Sequence, residues 1–301
     1  MRQSQWFQPD MARPVISVVI PTRDRCTILR LTLEALARQE GVDGTFEVIV
    51  VDDGSTDGTL EMLRTSDFST FDLRSVPLEH GGPARARNWG ISEATAERIL
   101  LLGDDMIPAP GNLNIHLAAS GEPERGVLGM IEWDPEHEIT DVMRFLAPEG
   151  PQFWFKGLEE GSLVPTTSLV SANLSAPRRW FLEEPFDESF TEACMEDTEL
   201  GYRWWRRGWV IRFRPGAVCH HRHSYRSIEP FLERQRRAGR WTRLAVWQHP
   251  ALFATLVARP VALAPLLAAR TGLRFLGGRG RRDDVWDLHC RWKFVTGFVR
   301  G

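Results

Sequence analysis

Carboxylates are spaced along this 301-residue chain in a way that suits cation binding and proton transfer. Thr22-Arg23-Asp24, Asp52-Asp53-Gly54 and Gly103-Asp104-Asp105 each follow a short apolar run, and Glu196-Asp197 opens a segment of helical character. A carboxylate at the end of a buried strand can accept a hydrogen bond from a nucleobase N–H. Asp53, or its neighbour Asp52, is therefore a candidate for nucleoside recognition. Carboxylate oxygens also suit a hard divalent cation. In the first turn of a helix the dipole favours the carboxylate anion, and such a group can act as a general base toward a substrate hydroxyl. Any one acidic strand end reads equally well as a turn or a cap, and Asp57 in Ser55-Thr56-Asp57-Gly58 is read that way. Three clusters in register point to a site.

The elements that must position these residues follow from the apolar pattern. Val15–Ile20, Phe46–Val51 and Arg98–Leu102 read as buried strands, with a weaker one over Leu73–Val76. Helices are expected over Cys26–Gln39, from near Asp57, and over Pro83–Ala94. This alternation predicts an α/β fold, a mostly parallel sheet flanked by helices, and such sheets bind ligands at the carboxyl ends of their strands. No strand leads into G-x-G-x-x-G or G-x-x-x-x-G-K-[ST], which argues against a dinucleotide fold and a P-loop. Further along, strands are expected over Val127–Trp133, near Val210–Phe213 and over Ala217–Cys219. A helix is expected over Glu196–Arg207 and a long loop over Pro148–Pro165. After Tyr225 the chain reads as Arg-rich helices.

With 43% hydrophobic and 26% charged residues the composition is that of a soluble globular protein. A net charge of −3 gives no support for nucleic-acid binding. Four cysteines without a C-x-x-C pair argue against a zinc knuckle or disulfide scaffold and fit a reducing cytoplasm. Residues 1–12 lack a signal-peptide core. Ala251–Ala269 is apolar for about the length of a spanning helix, but Arg259, Pro260 and Pro265 interrupt it. A buried helical pair or a membrane-surface element is expected there, the second giving peripheral contact at the inner face of the membrane.

Val15–Arg25 and Glu47–Thr59 resemble the opening of family 2 glycosyltransferases, whose fold is the nucleotide-sugar-binding, Rossmann-like GT-A type. Pro83-Ala-Arg-Ala-Arg-Asn88 followed by Arg98–Pro108 is similar to the family's Ala-Arg-Asn helix and D-x-D strand end. Ser171–Ser175, Phe186-Asp-Glu188 and Glu196–Gly201 resemble its acceptor half. The resemblance covers Val15–Tyr225 in chain order. It implies a nucleotide-sugar donor, expected to be UDP-linked, met by Pro21, Thr22, Arg23, Asp24, Asp52 or Asp53, Arg87 and Asp104. It implies Mn2+ or Mg2+ on Asp105 and on His221, preferred to His223, and Asp197 as base with Glu196 beside it. Asn173 is placed on the acceptor side, and Trp154 is added as a sugar-stacking aromatic. Gly103 replaces the first Asp of D-x-D, and Asp104 either compensates or faces solvent. A surface arginine and a turn asparagine are the plain alternatives for Arg87 and Asn173. Of Trp204 and Trp205, at least one is read as core. Arg237–Trp241 resembles the Q-x-x-R-W of processive synthases with Arg237 in the Gln position, and is read as an ordinary amphipathic helix, hence single-sugar transfer.

The expected organisation is a flexible N-terminus over 1–14, a GT-A domain over 15–225 and a helical C-terminal extension over 226–301. Within the domain, 15–108 forms the nucleotide-binding half and 109–225 the acceptor half. The expected activity is metal-assisted, inverting transfer to a glycan, lipid-linked, peptide or small-molecule acceptor. A retaining transferase on the same fold and a catalytically silent sugar-nucleotide or glycan-binding protein are the alternatives. The residues fix no oligomeric state.

Overall fold

The computed structural model describes residues 13–118, 125–276 and 280–300. Of the expected flexible segment 1–14, residues 1–12 lie outside them. The first half alternates strands and helices as its apolar runs require: β1 (Ser17–Thr22), α1 (Cys26–Ala37), β2 (Glu47–Asp52), α2 (Thr59–Thr65), β3 (Asp72–Pro77), α3 (Pro83–Glu93) and β4 (Arg98–Leu102). β2 and β4 are buried at every position because helices cover both faces of the sheet. The second half adds β5 (Met106–Pro108), α4 (Asn112–Ala118), β6 (Arg125–Trp133), α5 (Asp141–Leu146), β7 (Asn173–Pro177), α6 (Arg178–Glu183), α7 (Glu196–Arg206) and β8 (Val210–His221).

The eight strands form one sheet in the order β3-β2-β1-β4-β7-β6-β8-β5. It is parallel from β3 through β4 and again between β6 and β8, and antiparallel where β7 joins β4 and β6 and where β5 joins β8. Chain order runs outward from β1 in both directions, to β2 and β3 on one side and β4 on the other. The crevice beyond the carboxyl ends of β1 and β4 is thus the switch point where open α/β sheets bind ligands.

Two readings of the sequence are corrected. β8 is one strand rather than two, since a register shift opposite Gly129 and Met130 of β6 absorbs the Pro215-Gly216 interruption. β7 is a fully buried central strand in a segment read only for its polar residues. Asn173 opens it and is neither a turn residue nor at the surface. Its side-chain amide donates to the Met130 and Ala217 carbonyls, and its oxygen faces His116 Nε2 at 2.9 Å. A polar strand is tolerated in the core because its hydrogen bonds are satisfied there.

The chain ends in α8 (Glu229–Gln248), a π-helical turn (Ala254–Ala258), α9 (Arg259–Leu276) and α10 (Arg282–Arg300). α8 and α10 cross closely: a Cβ on Gly239 would collide with the Phe294 carbonyl, and one on Gly297 with that of Arg236. Ala251–Ala269 is core only in its first part: Leu252 and Val257 are buried, whereas Leu263 and Leu266 are 49% and 68% exposed. Among the described residues no helix is long and apolar enough to cross a membrane.

Candidate functional site

A cavity of about 690 Å³ opens at the switch point, a volume within the usual range for ligand pockets. Its floor is the ends of β1 and β4. Pro21, Thr22 and Arg23 line it from one strand, Gly103, Asp104 and Asp105 from the other. Thr22 Oγ1 donates to Asp104 Oδ2 at 2.8 Å, tying the two strand ends together. Asp104 therefore lines the cavity and does not simply face solvent. Burial, and then the charge of Asp105, push its pKa up to about 7. Gly103, where the family has its first Asp, stands in a tight place: a Cβ there would sit 3.2 Å from Asp105 Oδ1 and 3.1 Å from Met106 Cγ, so those side chains would have to give way slightly.

Asp105 faces the end of β8. Its Oδ2 lies 3.3 Å from His221 Nε2 and 3.7 Å from Arg25 Nη1. Burial alone would raise its pKa, but the His221 hydrogen bond and the neighbouring positive charges outweigh it and hold the carboxyl down at about 2. Ligand atoms of Asp105, His221 and His223 all lie within 4.8 Å of one another. Burial, and then the charge of His221, lower the His223 pKa to about 4, leaving a neutral imidazole able to ligate. The His221 ring stacks on Trp133 at 5.2 Å and on His223 at 5.5 Å, which fixes its plane. The carboxylate and two imidazoles are a donor set that suits a divalent cation. His223, the less expected of the two histidines, thus stands beside His221 at the same site. The H-x-H spacing, which puts alternate side chains on one side of extended chain, is the signal for both.

The second strand end separates its two aspartates. Asp53 lines the cavity; Asp52 is fully buried away from it, its Oδ1 taken by the Ser55 N–H. Asp53 accepts from the Gly81 N–H through Oδ1 (2.7 Å) and from the Gly82 N–H through Oδ2 (3.0 Å), and its Oδ2 also contacts His80 Nδ1. Oδ1 has one described partner and a second lone pair, enough for a base N–H. Gly82 is needed here twice over: its φ of +94° is left-handed, and a Cβ would strike the Thr191 carbonyl. His80 carries no sequence signal beyond its place before that glycine pair. Asp24 is not among the cavity's residues. Its φ is +52° and its Oδ1 accepts from Thr56 N–H, so it clamps the loop after β1 to the loop after β2. Asp57 likewise accepts from the N–H groups of Cys26 and Thr59.

The third wall is the start of α7. Met195 precedes it at φ +73°, a strained conformation for a side-chain-bearing residue and one that clusters at functional sites. Asp197 Oδ2 accepts from the Ser171 N–H at 3.0 Å, whereas Oδ1 is shielded and has no hydrogen-bond partner among the described residues. Glu196 is buried against Arg87, Nη1 to Oε1 3.0 Å. Burial, and then the charge of Asp197, raise the Glu196 pKa to about 7 against the pull of Arg87. Arg87 is therefore no ordinary surface arginine. It is 9% exposed, lies over the Phe186 ring and reaches the cavity while tethered to α7. Trp154, half exposed, stands on the cavity's lining; Asn173 does not, because the core uses its whole amide. Trp204 is core and Trp205 exposed. Arg234 and Arg237 of α8 and Phe294 of α10 also line the cavity; Arg237 opens the segment that resembles Q-x-x-R-W, whereas Arg234 and Phe294 carry no sequence signal.

Residues 17–164 match the family model described as Glycosyl transferase family 2. Validoxylamine A glucosyltransferase of Streptomyces hygroscopicus subsp. jinggangensis is 34% identical over 220 residues, 63% of this chain and 51% of that protein. Chondroitin synthase of Escherichia coli is 27% identical over 237 residues, 68% of this chain and 34% of that one. The chain thus spans about half the length of the first relative and about a third of the second. Among solved structures, a mannosyltransferase from Pyrobaculum calidifontis in complex with GDP-Man and Mn2+ is similar at TM-score 0.60 and 18% identity, covering 96% of this chain and 87% of that one. S. aureus TarS 1-349 in complex with UDP is similar at TM-score 0.55 and 20% identity, covering 94% and 88%. At these identities the likeness is one of fold.

Proposed function

The chain belongs to glycosyl transferase family 2, with the GT-A fold, and on that premise we propose that it moves a sugar from a UDP-linked donor to an acceptor hydroxyl with inversion. Residues 15–225 form the catalytic domain in this reading, and 226–301 an extension that closes one wall of its cavity. The base lies against Asp53, whose Oδ1 takes its N–H. Thr22, Arg23 and Arg25 face the diphosphate, where guanidinium groups suit phosphate oxygens. Asp105, His221 and His223 would hold Mn2+ or Mg2+, which when bound offsets the charge growing on the leaving diphosphate.

Asp197 is the base. As the acceptor oxygen attacks the anomeric carbon, its proton passes to the Asp197 carboxylate and the nucleoside diphosphate departs from the opposite face. The Ser171 N–H holds one of its oxygens, which orients the carboxylate. Glu196 and Arg87 hold the first turn of α7 in place, and the Trp154 ring offers an apolar face to a sugar on the acceptor side. The acceptor class stays open among glycans, lipid-linked sugars, peptides and small molecules. The four free cysteines fit a reducing compartment.

The observation that carries this reading is the Asp197 carboxylate, at the first turn of α7, in a cavity shared with Asp53 and Asp105. The experiment is Asp197→Asn, assayed for UDP release from UDP-sugars and for UDP binding by calorimetry. We expect turnover to fall by about 10³-fold or more with UDP affinity within about twofold of the parent. Retained turnover would remove Asp197 from the base role. A parent that binds UDP yet turns over no donor would favour a silent binding protein.

A further inference from the structure

The C-terminal helices present an apolar and cationic surface that the catalytic reading does not use. Residues 226–301 hold fifteen Arg or Lys against five Asp or Glu, a net charge of +10, while residues 1–225 carry −13. Such charge asymmetry within one chain is a mark of contact with an anionic partner. Among the described residues, the same quarter of the chain holds nine of the fourteen large hydrophobic side chains that are exposed, all between Trp247 and Val299. Exposed apolar side chains gathered in one region, unlike scattered ones, indicate a surface that something covers.

The pattern on α9 gives that surface a direction. At 100° per residue, half-buried Leu267, Thr271 and Arg274 fall together on the side toward the rest of the helical unit. Leu266, Leu273 and Leu276, exposed by 68%, 70% and 88%, fall together on a different side, with Arg270 at its flank. On α10, Trp292 and Val299 lie two turns apart on one face and are 64% and 69% exposed. Apolar residues on one face with arginines beside them are the composition of helices that lie in a lipid interface. None of the described helices is long and apolar enough to cross a bilayer, so the contact lies on the surface and does not span.

We propose that α9, with the neighbouring face of α10, docks this protein onto the surface of a bilayer rich in anionic headgroups. Charge complementarity selects this occupant: the arginines of residues 226–301 are drawn to a negative surface, whereas a second copy would bring its own +10 against them. The proposal is independent of the catalytic assignments, since none of Leu266, Arg270, Leu273, Leu276, Trp292 and Val299 lines the cavity.

The test is co-sedimentation of the full chain with vesicles of phosphatidylcholine alone and of phosphatidylcholine mixed with phosphatidylglycerol. Partition to the mixed vesicles should exceed that to neutral ones by about tenfold and weaken in high salt. The double variant Leu266→Glu/Leu273→Glu should lose about tenfold of it. Its melting temperature should match the parent's, because both positions are largely exposed; should it unfold, Leu276→Glu at the most exposed position takes its place. Equal or absent partition to both vesicles, or full retention by the folded variants, overturns the proposal. So does a lipid-free dimer that the variants convert to monomer, which would assign the face to a second copy.

Discussion

Arg87 and Glu196 are two opposite charges buried together where α3 meets α7, and removing either leaves the other without its counter-charge. Breaking such a pair costs about 3–5 kcal/mol, more than the pair itself contributes. Arg87→Ala should therefore lower unfolding free energy in urea by about that amount, and Arg87→Met/Glu196→Gln should recover more than half of the loss. A cost below about 1 kcal/mol would mean that water reaches Glu196. The same glutamate makes stability depend on pH. An acid whose folded pKa lies above its unfolded value keeps its proton while the unfolded chain releases one. Folded-state stability should thus fall as pH rises from the ordinary 4.5 of glutamate to about 7, and level off beyond. Melting temperatures taken from pH 5 to 8 should drop more steeply in the parent than in Glu196→Gln, and parallel curves would disprove the assignment. At this scale the sequence was legible wherever a carboxylate stood at a strand end. It could not separate Asp52 from Asp53, because which one faces the cavity depends on the backbone at Gly81 and Gly82. Asn173 was misplaced because an amide spent on core carbonyls is the same residue type as one lining a pocket.

Elements were legible in proportion to how uniformly apolar they are. β2 and β4 have helices on both faces and announce themselves as apolar runs; β7, equally buried, does not, since Asn173 and Ser175 carry its contacts to His116. Within the extension, two glycines in helices are expected to behave oppositely. Gly239 sits where α8 meets the backbone of α10, whereas nothing lies within 4 Å of a Cβ placed on Gly272 of α9. Gly239→Ala should cost about 2 kcal/mol or more, because backbone must move to admit the methyl group. Gly272→Ala should gain about 0.5–1 kcal/mol from helix propensity alone. Thermal unfolding of the two variants checks this, and a stabilised Gly239→Ala would mean that the helices are not in contact there. Arg234, Arg237 and Phe294 make the crossing matter to the site, because it sets where their side chains meet the cavity.

On the scale of the molecule, the cavity is assembled from the parallel half of the sheet, α7, the end of β8 and the C-terminal helices, so a ligand bound there ties all four together. A ligand that binds only the native state raises stability by RT ln(1 + [L]/Kd), about 2.7 kcal/mol at a hundredfold excess over Kd. UDP with Mn2+ should therefore raise the melting temperature more than UDP with chelator, and His223→Ala should erase the difference while leaving the UDP shift. Identical shifts with metal and with chelator would take the ion out of the mechanism. The parallel half was visible in the residues because each strand there closes a local βαβ unit; the closure of the site was not, because it depends on contacts between distant segments. Biosynthesis has to contend with the same arrangement. β4 pairs with β7, Leu102 opposite Asn173, about 70 residues further along the chain. At about 5–20 residues per second of translation, the Arg98–Leu102 edge waits several seconds for its partner. During that interval an apolar strand with unpaired backbone is open to any other chain nearby. A ribosome-bound fragment ending at residue 164, where the family match stops, would hold β1 through β6 and still lack the strand that closes the open side of β4.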